Sequence, residues 1–179
     1  MTRLYGFGPD MLTVKLTGYL PTHVELPNHP KNKNLGSRKM AIAPNIFVES
    51  IDFTDVKVGT RYTLIGLGNT VITDIMPLTL HYDKNDTEYK STIKITWLPN
   101  DNSNILTTVK KYDHLLSKHK IEENDTITEI FNRDSYSKSV WLIEKAIQDI
   151  PMGQVVQIMR HGYCYVDKND DDKVVLHLV

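Results

Sequence analysis

A chain of 179 residues, 40% hydrophobic and with a formal net charge of -1, can build one large or two small globular domains with real cores; it is neither disordered nor fibrous. Its single cysteine, Cys164, excludes an internal disulfide framework. No window approaches the roughly 18 apolar residues of a membrane span and no basic lead enters an apolar run, so a cytoplasmic protein without a membrane partner is expected. The near-neutral total hides an uneven distribution, because Leu26 through Val48 contains no acidic residue yet holds Lys31, Lys33, Arg38 and Lys39.

In chain order, "MLTVKLTGY" sets Leu12, Val14 and Leu16 against Thr13, Lys15 and Thr17, the alternation of a half-buried strand. "LPNHPKNKNLGSRKM" follows. Pro27 and Pro30 remove two backbone donors and hold this piece extended, so its lysines project from a stiff surface loop, matched to phosphates or simply solvated. Further strands are expected at "RKMAIA", "IFVES", "RYTLIGL", "TVITDI", "LTLHYD", "YKSTIKITWL" and "ILTTVKKY", and after them at "VVQIM", "YCYVD" and "KVVLHLV". Turn-rich pieces such as "GLGN", "PNDNSN" and "DKNDDDK" separate them. Between the two groups, "YSKSVWLIEKAIQ" places Val140, Ile143, Ala146 and Ile147 at helical spacing, with Pro151 and Gly153 beyond as stop signals, which predicts a helix near 136–148. Many short strands and one helix indicate an all-β barrel or sandwich architecture.

Motifs for catalysis are missing. Asp167, Asn169 and Asp171 imitate the start of a calcium loop, but Asp172 stands where the turn needs glycine and Leu178 where a bidentate glutamate belongs. The seven histidines have no zinc spacing, so no metal is expected. Cys164 lies in an alternating strand and reads as a buried side chain, and "YGFGPD" leads into a strand and not into the helix a phosphate loop requires.

The blocks themselves carry a resemblance. "VELPNHPKNKNLGSRKMAIAPNIFVESIDF" resembles the proline- and histidine-containing segment of the anticodon-binding region of glutaminyl- and eukaryotic or archaeal-type glutamyl-tRNA synthetases. "LGNTVITDI", "STIKITWLP", "KKYDHLLSKHKIEENDTITEIFN" and "GQVVQIMRHGYCYVD" are similar to further family blocks in the same order. The middle region is more similar to the cytosolic glutamyl type than to the glutaminyl type. The resemblance implies two linked antiparallel β-barrels: a proximal one from residues 1–78 with 153–179, and a distal insertion from 79–152 carrying the helix. It also implies tRNA as partner. Neither class I catalytic signature is present, so the chain is expected to be the C-terminal part of a glutamate-tRNA ligase, with no catalytic residue or cofactor of its own and with ATP and Mg2+ used by a catalytic domain of the same polypeptide. Carried onto this sequence, the reader of the middle anticodon uridine is Arg3 with Gln157 and Arg160. Lys31, Asn32 and Lys33 are implied as contacts to the RNA backbone or loop, and Lys90 and Lys94 as contacts to the first or third base. Gln157 and Arg160, three apart, would face opposite ways on a regular strand, so a bulge or strong twist is required for both to meet one base. Tyr163 and Tyr165 share a strand face on which a base could stack or which packing could use. A free-standing RNA-binding barrel and a protein-interaction module binding an acidic partner are the other readings.

Overall fold

The computed structural model describes residues 1–179, nearly all of it β structure with about 9% helix. In chain order the strands are β1 (Arg3–Leu4), β2 (Gly6–Phe7), β3 (Met11–Gly18), β4 (His23–Pro27), β5 (Ser37–Ala41), β6 (Asn45–Glu49), β7 (Arg61–Leu64) and β8 (Gly68–Ile75). They continue with β9 (Leu78–Tyr82), β10 (Ile93–Ile95), β11 (Leu98–Pro99), β12 (Ile105–Tyr112), β13 (Tyr136–Ile143), β14 (Val155–Ile158), β15 (Gly162–Lys168) and β16 (Val174–Leu178). The α-helix is one turn, α1 (Ile127–Ile130).

Two seven-stranded sheets result. The first runs β10-β7-β8-β9-β3-β6-β11, the second β1-β14-β15-β16-β12-β13-β2, and β4 with β5 forms a separate hairpin. One sheet is a nearly closed barrel and the other a half-barrel, as the all-β reading anticipated. The edges of the second sheet, β1 and β2, are separated along the chain only by Tyr5, so that sheet closes on itself through the segment 3–7. Neither sheet is purely antiparallel, because β3 with β9, β7 with β10, β12 with β16 and β1 with β14 pair parallel.

Alternation builds the cores. In β3, Val14 and Leu16 point inward with Ile46 and Val48 of β6, Ile72 of β8 and Leu80 of β9, around the fully buried Trp97. In the second sheet, Val109, Val156, Ile158, Cys164, Val166 and Leu176 form a separate cluster with Leu4, Ile143 and Ile147. Burial pushes the Cys164 thiol up to about 11, which leaves it protonated and inert, as its place in the strand pattern suggested.

Two expectations are corrected. The sheets divide between Pro99 and Ile105, so β9, β10 and β11 belong to the first sheet and not to an insertion spanning 79–152. The reason is pairing: β9 lies parallel to β3, and β11 lies against β6. Segment 136–143 is a strand and not a helix. Its whole length pairs with β12, from Tyr136 opposite Tyr112 to Ile143 opposite Ile105, and Ile147 enters the core from a 3-10 turn at Lys145–Asp149. Val140, placed inward by the helical spacing, is exposed.

The two units are joined by a buried ion pair. Glu144, just past β13, is 3% exposed and receives Arg38 of the hairpin through both oxygens, Nε donating to Oε2 and Nη2 to Oε1, each at 2.6 Å. Its Oε1 also accepts the backbone N–H of Tyr5 at 2.5 Å. The Tyr5 ring packs in the first core, its hydroxyl donates to the Ile65 carbonyl at 3.1 Å, and its pKa is raised well above the phenol range, mainly by burial. Glu144→Ala should destabilise the chain by about 3–5 kcal/mol in urea unfolding, because an unpaired guanidinium remains buried. The Arg38→Leu, Glu144→Leu double substitution should cost clearly less than the sum of the two single ones.

Candidate nucleic-acid interface

The basic stretch is the β4-β5 hairpin and its nine-residue tip, from Asn28 to Gly36. The tip is folded tightly. Asn28 N–H donates to the Gly36 carbonyl at 3.0 Å and its Nδ2 to the Leu35 carbonyl at 2.8 Å, while Asn32 Oδ1 caps the 3-10 turn by accepting Asn34 N–H at 3.1 Å. Gly36, at φ +71°, supplies the left-handed residue that closes the turn, with its N–H on the Lys33 carbonyl. Asn32 is thus occupied locally, whereas Lys31 and Lys33 are exposed and make no ion pair. Arg38 is taken up by Glu144, and Lys39 stands opposite Glu25 in the hairpin register. Of the four cations of the stretch, Arg38 alone is taken up in an ion pair, and Lys31 and Lys33 are the two at the tip.

The hairpin tip rests against the start of the second sheet. Arg3 N–H donates to the Asn28 carbonyl at 2.8 Å, and β1 pairs parallel with β14 so that Arg3 stands directly opposite Gln157. Arg3 Nε and Gln157 Oε1 are both buried and have no hydrogen-bond partner. An unpartnered donor and an unpartnered acceptor side by side form an incomplete site, since buried polar groups without partners are costly. Beside Arg3 a cavity of about 260 Å³ opens between the units, walled by Tyr5, Leu26, Pro27, Pro30, Ile65 and Met159. Its largely apolar walls suit the faces of a flat ring and its polar end suits the ring's edge.

Arg160 does not join this pair. It lies beyond β14 at φ +73°, where the chain leaves the strand, and its guanidinium grips Asp52 through two bonds, Nη1 to Oδ2 at 2.5 Å and Nη2 to Oδ1 at 2.7 Å. Glu49 Oε2 is a further 2.8 Å from Nη1. The hydrogen bond to Asp52 outweighs partial burial and raises the Arg160 pKa further. The strand irregularity required by the three-residue spacing is present, but it directs Arg160 to the first sheet's carboxylates. Local sequence gave no sign of this contact, which spans 108 positions.

Lys90 and Lys94 lie at the β10 edge of the first sheet. The Lys94 ammonium is folded back onto the carbonyls of Tyr89 and Thr92, the latter at 2.9 Å. The structure therefore brings together Arg3, Gln157 and the loop of Lys31, Asn32 and Lys33, and leaves Lys90 and Lys94 in another part of the fold. No cluster of side chains suited to a metal is present.

Fold and site define a β-barrel module with a largely apolar, base-sized recess, bordered by Arg3, beside a basic loop. Comparison with known families is specific on this point. Two models described as "tRNA synthetases class I (E and Q), anti-codon binding domain" match residues 5–90 and 94–167, and the chain belongs to that family. Their boundary falls close to the division between the sheets. Among curated relatives, the chain is 27% identical to the bifunctional glutamate/proline-tRNA ligase of Mus musculus over 80% of this chain and 10% of that protein. It is 25% identical to the cytoplasmic glutamate-tRNA ligase of Arabidopsis thaliana over 89% of this chain and 22% of the relative. The glutamate-tRNA ligase of Nitrosopumilus maritimus is 29% identical over 88% of this chain and 26% of its own length. The chain thus spans a tenth to about a quarter of these relatives.

The loop's field is visible in His29, whose pKa lies below the ordinary imidazole value, first through lost hydration and then through Arg3, the Met1 amino group and Lys31. A bound phosphate offsets that repulsion, so the His29 pKa should rise when an RNA hairpin binds. The gain in affinity is full below the free-state pKa and is lost as pH rises through the bound-state value. NMR titration of the His29 imidazole with and without the RNA checks this; an unmoved pKa would place the phosphates elsewhere.

Proposed function

We propose that this region reads the anticodon of a glutamate tRNA on behalf of a longer, cytoplasmic glutamate-tRNA ligase. The observation that carries the reading is the register pairing of Arg3, which lines a base-sized recess, with Gln157, each carrying a buried polar atom without a partner. Anticodon bases are unstacked and present their Watson-Crick edges to side chains. A uridine edge offers an N–H to the Gln157 amide oxygen and a carbonyl to the Arg3 guanidinium, which completes both orphaned atoms. Lys31 and Lys33 hold the neighbouring phosphates, and the Asn32 cap keeps the turn that carries them. Glutamate is favoured over glutamine by the names of the relatives described above, each of which names a glutamate-tRNA ligase, bifunctional with proline in one case. The catalytic half, with its ATP and Mg2+, belongs to the rest of such a polypeptide.

Arg160 takes a positioning role, since releasing Asp52 and Glu49 to meet the base would strand two carboxylates. A binding cycle at fixed salt separates the roles, with protein substitution on one axis and the middle anticodon base on the other. Gln157→Ala should cost about 1–3 kcal/mol on the cognate tRNA and much less on a tRNA with a different middle base. Arg160→Ala should lose similarly on both. Additive losses at Gln157, with unchanged melting, would mean that it does not read this base.

The loop is tested by salt. The Lys31→Ala, Lys33→Ala double substitution should weaken all tRNAs alike and flatten the dependence of log K on log salt by about 0.7 for each phosphate of single-stranded RNA that is no longer neutralised. An unchanged slope would leave the loop simply solvated.

A further inference from the structure

We propose that the outward face of the second sheet is a stacking platform for the unpaired nucleotides next to the base held by Arg3 and Gln157; the inference rests on that assignment. Strand alternation sends Val109, Val156, Cys164 and Leu176 inward, and therefore Lys110, Tyr112, Gln157, Tyr163, Tyr165 and His177 outward. Register then aligns the outward residues into rows. Arg3 is opposite Gln157, Gln157 opposite Tyr163, and the Tyr163 carbonyl accepts the Val179 N–H at 2.9 Å. One position past the Lys111 and Leu178 pairing, Tyr112 takes up the same row and stands opposite Tyr136. The adjoining row runs Val155, Tyr165, His177, Lys110, Lys138.

The rings are exposed, and Tyr112, Tyr136 and Tyr165 are held by ring contacts. Tyr163, Tyr112 and Tyr136 are 51%, 51% and 50% accessible and Tyr165 is 42%. Tyr112 lies parallel to His177 with centroids 5.7 Å apart, and Tyr136 and Tyr165 contact the two at 5.5 and 6.3 Å. His177 is held from both sides, Nδ1 within 2.9 Å of the Tyr112 hydroxyl and Nε2 within 3.1 Å of Asp167 Oδ2. Asp167 is the only acid at an outward position of these strands, and it is engaged. Lys110 stands directly opposite Lys138, and neither has an ion-pair partner. Like charges facing across strands are unfavourable, and a polyanion lying on the face turns that cost into attraction.

Aromatic faces with unpaired cations match single-stranded nucleic acid, because every base has a face to stack while a duplex hides its own. Neighbouring strands are about 4.8 Å apart, so Tyr163 is one strand from Gln157 and Tyr112 is three, about 14 Å. Nucleotides on either side of a base held at Gln157 are thereby led along the row.

The test uses this chain and a short RNA hairpin carrying the glutamate anticodon in its loop, with a fully paired duplex of equal charge as control. The Tyr163→Leu, Tyr165→Leu variant, which keeps apolar bulk and loses the rings, should bind the hairpin about 5- to 150-fold more weakly, with unchanged duplex binding and melting. The corresponding Phe variant should bind as the parent does. Bromouridine placed beside the middle base should photo-crosslink to Tyr163 or Tyr112. Parental hairpin binding by the Leu variant, or crosslinks confined to the first sheet, would overturn the platform. The Gln157→Ala base selectivity reports separately on the anticodon assignment, so the two failures are distinguishable.

Discussion

The carboxylate of Glu144 is the constraint on which the arrangement depends. Closing the second sheet through residues 3–7 leaves the Tyr5 N–H without a strand partner at the seam, and Glu144 accepts it. The charge that does this is buried, so it requires a cation, and the hairpin supplies Arg38. One acidic group therefore closes a barrel, docks the hairpin and fixes the hairpin tip beside Arg3. Gly6 fits the same demand for closeness, since a Cβ there would stand 2.3 Å from Ile143 Cδ1.

That arrangement separates charge from chemistry in the interface. Of the cations that crowd the basic stretch, one is structural and one faces a carboxylate in the hairpin, which leaves a modest field at the tip. A modest field suits a module that must discriminate, because phosphate attraction carries no base identity. Under the proposed reading, identity comes from Arg3 Nε and Gln157 Oε1, which are buried without hydrogen-bond partners.

Strands with clean alternation were legible in the sequence. β3 and β15 each alternate buried apolar residues with exposed ones within a single run, Val14 and Leu16 in β3 and Cys164 and Val166 in β15, and their cores follow directly. β13 was not legible, because Val140, Ile143, Ala146 and Ile147 satisfy a helical period while Ser139, Trp141 and Ile143 satisfy a strand period; eight pairings with β12 decide the matter. β1 and β2, two residues each, are too short to show any period. Resemblance named Arg3 and Gln157 together, and the register sets them opposite each other, whereas the contact of Arg160 with Asp52 and Glu49 arises only through the tertiary fold. The division between sheets was hidden for a related reason: parallel pairing of β3 with β9 leaves no local signature.

The segment 3–7 also has a temporal meaning. Tyr5 and Phe7 belong to the first core and Leu4 to the second, so alternate residues of one short segment serve two hydrophobic clusters. All strands of the first sheet lie within residues 11–99, and that sheet can assemble before β14 has been synthesised. Assembly anchors Tyr5 and Phe7 and leaves the β1 edge waiting for Gln157 and its neighbours, which lie near the far end of the chain. Pairings of such sequence separation are slow to form from a fully mobile chain. An order in which the first sheet assembles first would present one partner already in place, with the first unit as the template on which the second closes.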